Sequence, residues 1–281
     1  MVQIVEALCR SETPLSLADI VRRTGHSRAT LHAVVTELCA QGWATRLPDG
    51  SYTTGTGLVA LAWSLSCTDP LTRLARPTLA ALSAELGIGC FVARRVGDEV
   101  VIIEHLPDDR VPAGADWPAT GATLPLRPPV CREFIAWEPA PIRAEWIARA
   151  PATLRTRLGL ALDAVRERGA SIERMTDDHV AVMAALDSLE RAHVPDGVRS
   201  QVGELLGQLT AIDYLPHELD DTGPRVSVVT VGAPILDISG SATGSVVACP
   251  NRQVSRAELD SIVDATRTAA ARLSAHTTTS P

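Results

Sequence analysis

The stretch from Ser27 to Trp43, SRATLHAVVTELCAQGW, limits what this chain can fold into more than any other. Leu31, Val34, Val35 and Leu38 stand at i, i+3, i+4 and i+7, the spacing of one buried helical stripe. At about 100° per residue the opposite face carries Ala29, His32, Ala33 and Thr36, with Arg28 at its N-terminal corner. Ser27 is placed to cap the helix, and Thr30 lies in its first turn. A helix that shows water its outer side usually alternates acids and bases. This face is short, polar and nearly free of acid, which suits close approach to another molecule.

The flanking sequence sets that helix in a module. Val2, Ile4, Val5 and Leu8 keep helical register, and Ser16-Leu-Ala-Asp19 is a capping box that opens a second helix. Leu17, Ile20 and Val21 face inward, and Thr24-Gly25-His26 makes the turn into the helix after Ser27. Beyond Gly42, two short β-prone runs flank Pro48-Asp-Gly50. Three helices and a hairpin within about 55 residues predict a winged helix-turn-helix over residues 1–57.

Leu58, Leu61 and Leu65, and after Asp69-Pro70 the series Leu71, Leu74, Leu79, Leu82 and Leu86, form stripes too apolar to stand alone. Residues 58–86 therefore read as a helical linker and dimerisation segment. From Ile88 the pattern turns to strands, with Gly97-Asp98 between two apolar runs as a hairpin. A Pro-, Gly- and Ala-rich loop fills 107–129, and helical segments follow at 130–137, 141–149, 154–168, 178–192 and 196–210. Strands at 225–235 and 242–249 precede a last amphipathic helix with Leu259, Ile262, Val263 and Leu273. The class is α+β, with a sheet domain over 87–276 and a disordered tail at 277–281.

Charge and reactive residues narrow the function. The net charge is −7, which argues against indiscriminate nucleic-acid binding, yet residues 1–60 balance five arginines against five carboxylates. A neutral module on an acidic body can bind DNA through well-placed arginines, with a modest electrostatic contribution. The six cysteines show no C-x-x-C spacing and read as reduced thiols, without a disulfide framework or a metal site. No apolar run reaches the roughly 18 to 20 residues of a membrane span, so a cytoplasmic location is expected. The seven histidines are isolated, and no G-x-S-x-G, P-loop or G-x-G-x-x-G occurs. No catalytic site and no cofactor are expected.

Pro128-Pro129 suits the first turn of a helix, which would leave the amides of Val130 and Cys131 free to meet an anion. The bland alternative is a capped core helix over 128–137.

The stretch LADIVRRTGHSRATLHAVVTELCAQGWATRLPDGSYTTGTGLVAL resembles the helix-turn-helix, wing and linker start of the IclR family of bacterial transcription regulators. GDEVVIIEHL, ATLPL, ALDAVRERGASI and VTVGAPILDISGSATGSVVACP are similar to successive pieces of that family's GAF-like effector-binding domain. The resemblance implies a homodimer, with a tetramer as the alternative, that binds operator DNA and a small-molecule effector. On the DNA side it implies a recognition helix with Ser27, Arg28, Ala29, Thr30, His32 and Thr36 in the major groove, and Arg46 and Ser51 on the wing. Ala33 replaces an arginine frequent in the family, and the helix after ATLPL reads Pro-Pro-Val-Cys-Arg-Glu where small residues and Gly-Lys are usual. The family's N-terminal arm is nearly absent, which implies a start later than is usual there.

In the effector domain the resemblance assigns contacts to Val130, Cys131, Asp220, Thr230, Val246 and Ala248. Val246 and Ala248 stand where hydroxyl residues are common, which implies a more apolar pocket. The expected effector is an organic acid with an apolar body. A second reading is a protein-binding or ligand-sensing regulator whose helix-turn-helix does not touch DNA.

Overall fold

The computed structural model describes residues 1–9, 11, 13–108, 120–174, 213–221 and 223–277; for Ser66, Asp220, Asp221 and Thr277 it describes the backbone alone. The helical segments expected at 178–192 and 196–210 and the tail after residue 277 lie outside the described residues. The chain divides into two compact units, Met1–Asp69 and Pro70–Pro281.

Unit 1 holds α1 (Val2–Cys9), α2 (Leu17–Thr24), α3 (Arg28–Ala40), β1 (Ala44–Arg46), β2 (Tyr52–Thr54) and α4 (Thr56–Thr68). Local signals account for most of it. The Ser16 hydroxyl accepts the Asp19 amide at 3.2 Å, and the Asp19 carboxylate accepts the Ser16 amide at 3.1 Å, so the capping box is complete. Ser27 caps α3 by accepting the Thr30 amide. Ile4, Leu8, Leu15, Ile20, Leu31, Val35, Leu38, Ala44 and Tyr52 form one core, so the predicted α3 stripe is the side that α1, α2 and the hairpin cover. Leu15 and Tyr52 exchange two backbone hydrogen bonds of 2.8 Å, tying the wing to the helices. Gly55 permits the close approach of α4 to this hairpin. A Cβ there would stand 2.2 Å from the Gly42 carbonyl oxygen, a backbone atom that cannot step aside.

In unit 2 an antiparallel sheet of seven strands runs in the order β5-β4-β3-β8-β7-β6, with β9 also paired to β7. These are β3 (Gly89–Val96), β4 (Glu99–Leu106), β5 (Thr123–Pro125), β6 (Ser171–Arg174), β7 (Arg225–Leu236), β8 (Ala242–Cys249) and β9 (Arg252–Ser255). One face is covered by α5 (Pro70–Leu86) and the final helix α10 (Arg256–Thr277). The other is covered by α6 (Arg132–Ile135), α7 (Ala140–Ala148) and α8 (Ala152–Arg168). The short helix α9 (Pro216–Asp221) precedes β7. The architecture is α+β with a GAF-like sheet domain. The three-residue β5 and the four-residue β6 and β9 had no pattern of their own in the sequence and exist through their partners.

Residues 58–86 do not act as one segment. α4 belongs to unit 1, whereas α5 buries Leu71, Ala75, Leu79 and Leu82 in the core of unit 2. Leu71 is therefore spent inside its own unit and is no part of a surface between copies.

Candidate DNA interface and effector site

On α3 the two faces separate cleanly. Leu31, Val35 and Leu38 are buried, while Arg28, Ala29, Thr30, His32, Ala33 and Thr36 are all exposed. The Ser27 and Thr30 hydroxyls bond each other at 2.9 Å, and the Thr36 hydroxyl donates to the His32 carbonyl at 2.7 Å. The hydroxyl proton of Thr36 is thereby committed to its own helix, and its oxygen remains an acceptor. Arg28 and His32 offer the long donors of this face. Sequence reasoning passed over Arg23, which stands exposed in the last turn of α2 beside the turn into α3.

The wing is less favourable than expected. Arg46 is exposed, but the Ser51 amide and hydroxyl both donate to the Asp49 carboxylate, at 2.9 Å and 2.6 Å. These bonds hold the Asp49 carboxyl below its usual range and keep it charged. Ser51 is thus a turn residue under an anion, and of the two expected wing contacts only Arg46 presents a free positive end to a phosphate.

The expected effector site is rearranged in three ways. First, α6 spans only Arg132–Ile135, and Cys131 caps it with a left-handed backbone at φ 59°. The Val130 amide donates to the Arg127 carbonyl at 3.0 Å, so it is not free to meet an anion. The double-proline start produces a turn followed by a short helix, with no long helix end behind it. Second, Val246 and Ala248 are wholly buried against α5 and α10, on the opposite sheet face from Cys131 and α6. Strand side chains alternate, so a one-residue slip in aligning β8 moves every contact to the other side. Ser245, Val247 and Cys249 share the face of Thr230 and Gly232 beneath α6. Third, Asp220 lies on α9 and its side chain falls outside the described residues.

What gathers beneath α6 is a buried polar cluster. Asp213 is fully buried; it accepts the Ile172 amide at 2.9 Å, Arg132 Nε at 3.2 Å, and Arg168 through its other oxygen. Burial works to lower the pKa of Arg132, but the charges of Asp213, Glu173 and Glu133 outweigh it and hold the guanidinium charged. The Ser171 hydroxyl donates to Glu133 at 3.3 Å, and the Thr230 hydroxyl donates to Glu173 at 2.8 Å. The Glu133 carboxyl occupies the place of a side chain at Gly232, since a Cβ there would stand 3.2 Å from its carboxyl carbon. Burial pushes Glu133 above the usual carboxylate range, and Glu173 adds to the rise while Arg132 opposes it. Burial, with Glu133 adding to it, raises the Cys131 thiol well above its ordinary value, which keeps it protonated and unreactive.

Of the six expected effector residues, Cys131 and Thr230 border this cluster. Sequence reasoning missed Arg132, Glu133, Asp213, Ser171 and Glu173. The one available signal was the run Pro-Pro-Val-Cys-Arg-Glu, ending in a charged pair, where small residues and then Gly-Lys are usual in the resembled family. Among the described residues no group of three or more His, Cys, Asp or Glu side chains is disposed to hold a metal ion. No helix there is long and apolar enough to cross a membrane.

Known proteins resemble both units. A MarR-family model matches residues 2–51, which span the three helices and the first wing strand. No curated protein matches the sequence. An IclR transcriptional regulator from Alicyclobacillus acidocaldarius has a similar structure at 16% identity and a TM-score of 0.66, over 98% of this chain and 96% of that one. The Thermotoga maritima IclR is similar at 13% identity and a TM-score of 0.59, with the same coverage. An IclR homologue from Microbacterium hydrocarbonoxydans, in complex with 4-hydroxybenzoate, is similar at 17% identity and a TM-score of 0.65, again over 98% and 96%.

Proposed function

The chain has the fold of IclR transcription regulators over nearly its whole length, and from that premise we infer that it is itself a DNA-binding regulator of this type. Unit 1 presents α3 to the major groove, and unit 2 binds a small organic effector with one polar end and an apolar body. The observation that carries the DNA reading is the division of α3 into a stripe buried at Leu31, Val35 and Leu38 and an exposed face of small residues led by Arg28. Small side chains let the helix backbone approach the base edges, and Arg28 supplies a guanidinium fork for guanine or phosphate. An effector acts by its difference in affinity between two states of the assembly, since equal affinity shifts nothing.

Selection from a random DNA library with the intact protein tests this reading, because it asks for a preferred sequence without assuming one. Arg28→Ala is expected to lower affinity for the selected site by about 1–3 kcal/mol, and His32→Ala to change sequence preference more than salt dependence. An absence of sequence-selective binding at moderate salt would assign the exposed α3 face to a protein partner instead.

The proposed assembly is a homodimer through α4. Val59, Trp63 and Leu65 are 67%, 73% and 65% exposed on a helix without a single charged residue, an apolar surface that a second copy would cover. Trp63→Glu is expected to convert the dimer to monomer at micromolar concentration in light scattering, and to reduce a two-fold DNA footprint to a single half-site. A wild-type monomer under the same conditions would remove α4 as the contact.

A further inference from the structure

Alternation along β6, β7 and β8 turns one row of residues toward α6: Ser171, Glu173, Thr230, Gly232, Ser245 and Val247. Two guanidiniums and three carboxylates meet at the upper end of that row. Arg132 and Arg168 both bond Asp213, and Arg168 also donates to the Ala170 and Tyr214 carbonyls. Arg174 turns away, over the ring of Tyr214. Glu133 takes its own backbone amide and the Ser171 hydroxyl, which also reaches the Gly232 carbonyl at 3.3 Å, and Glu173 takes the Thr230 hydroxyl. Among the described residues the cluster thus holds three carboxyl groups to two guanidiniums.

An independent observation lies further along the same row. The Ser245 hydroxyl is completely buried and has no hydrogen-bond partner. Its cross-strand neighbour Ala93 and the next inward residue Val247 both pack in the layer beneath α6. Both phenylalanines of the chain, Phe91 and Phe134, are buried in that layer. A buried hydroxyl without a partner is costly, and a ligand's polar substituent relieves that cost. Ser245 stands two residues from Val247, the partner of Gly232, so roughly 7 Å of strand separates it from the level of Glu133, and Glu173, held at Thr230, lies two residues further along.

We propose that this site binds an aromatic amine, with its ammonium group between Glu133 and Glu173, its ring on Val247 toward Phe91 and Phe134, and a polar ring substituent on Ser245. The proposal rests on reading unit 2 as an effector domain and replaces the expected acidic head group by a cationic one. The Val130 amide that would have held an acid is already bonded, and an added carboxylate would join an excess of its own sign. A cation supplies the missing charge and takes the place of the proton that burial favours on Glu133.

Calorimetry on the full-length protein with tyramine, phenethylamine and 4-hydroxyphenylacetate tests this directly. Tyramine is expected to bind, and its acid counterpart to bind about tenfold more weakly or worse. Glu133→Gln and Glu173→Gln should each weaken tyramine about tenfold, whereas Ser245→Ala should weaken tyramine and leave phenethylamine unchanged. Binding of the acid as tight as that of the amine, no binding of either amine, or indifference to both glutamine variants would overturn the proposal. The wild-type comparison decides even if a variant misfolds. Selective DNA binding by the ligand-free protein is read separately, so intact operator binding without amine binding removes this proposal alone.

Discussion

Asp213→Ala is expected to cost unit 2 about 3–5 kcal/mol, the largest loss from a single side chain outside its apolar core. Asp213 is fully buried between two arginines and also accepts the Ile172 amide. Its removal leaves Arg132, 3% exposed, as a guanidinium without a carboxylate partner of good geometry, and leaves a strand amide unpaired. Arg168 is 17% exposed at its side chain and can turn toward water, so the penalty concentrates on Arg132. Denaturant unfolding should show the midpoint moving down with the slope unchanged. The pair Arg132→Met with Asp213→Leu should recover a large part of the loss, because two apolar side chains need no partners. A single variant within about 0.5 kcal/mol of wild type would mean that water reaches Arg132, and the buried network would lose its structural role.

Leu31→Ala is expected to remove about 2–5 kcal/mol from unit 1. Leu31 is wholly buried among Ile4, Leu8, Ile20, Val35 and Leu38. A unit of this size buries a smaller share of its surface than a large domain, so one such cavity takes most of its stability. Arg28→Ala, three positions earlier on the same helix, should leave stability within about 0.5 kcal/mol while weakening DNA binding. Thermal unfolding and DNA titration of the two variants side by side separate packing from recognition on one helix. If Arg28→Ala destabilised unit 1 as strongly as Leu31→Ala, its loss of affinity would be a folding effect, and the α3 face would need another test.

Much of unit 1 could be read in advance because its determinants are local. Ser16 and Asp19 lie three residues apart and cap one helix, Ser27 caps the next, and the buried stripe of α3 repeats within a few turns. Each signal is complete within about ten residues, where chain connectivity already brings the partners together. The exception was Ser51, whose role depended on Asp49 taking up its hydroxyl at the wing tip.

In unit 2 the sequence alone determined that there would be strands at 89–106 and 225–249, helices between them and an amphipathic helix at the end, since periodicity is a property of the chain. Tertiary structure decided which side those elements present. Val246 and Ala248 differ from Val247 and Cys249 by one residue in sequence and by the whole thickness of the sheet in space. Arg132 meets Asp213 across 81 positions and Ile172 meets it across 41, separations that no spacing rule covers. α5 carries three charged residues where α4 carries none, yet it is α5 that became core, because the sheet of unit 2 offered a surface to cover. Local pattern states that a residue will be buried, whereas register and long-range pairing state against what, and the charge of the buried cluster beneath α6 follows from the second alone.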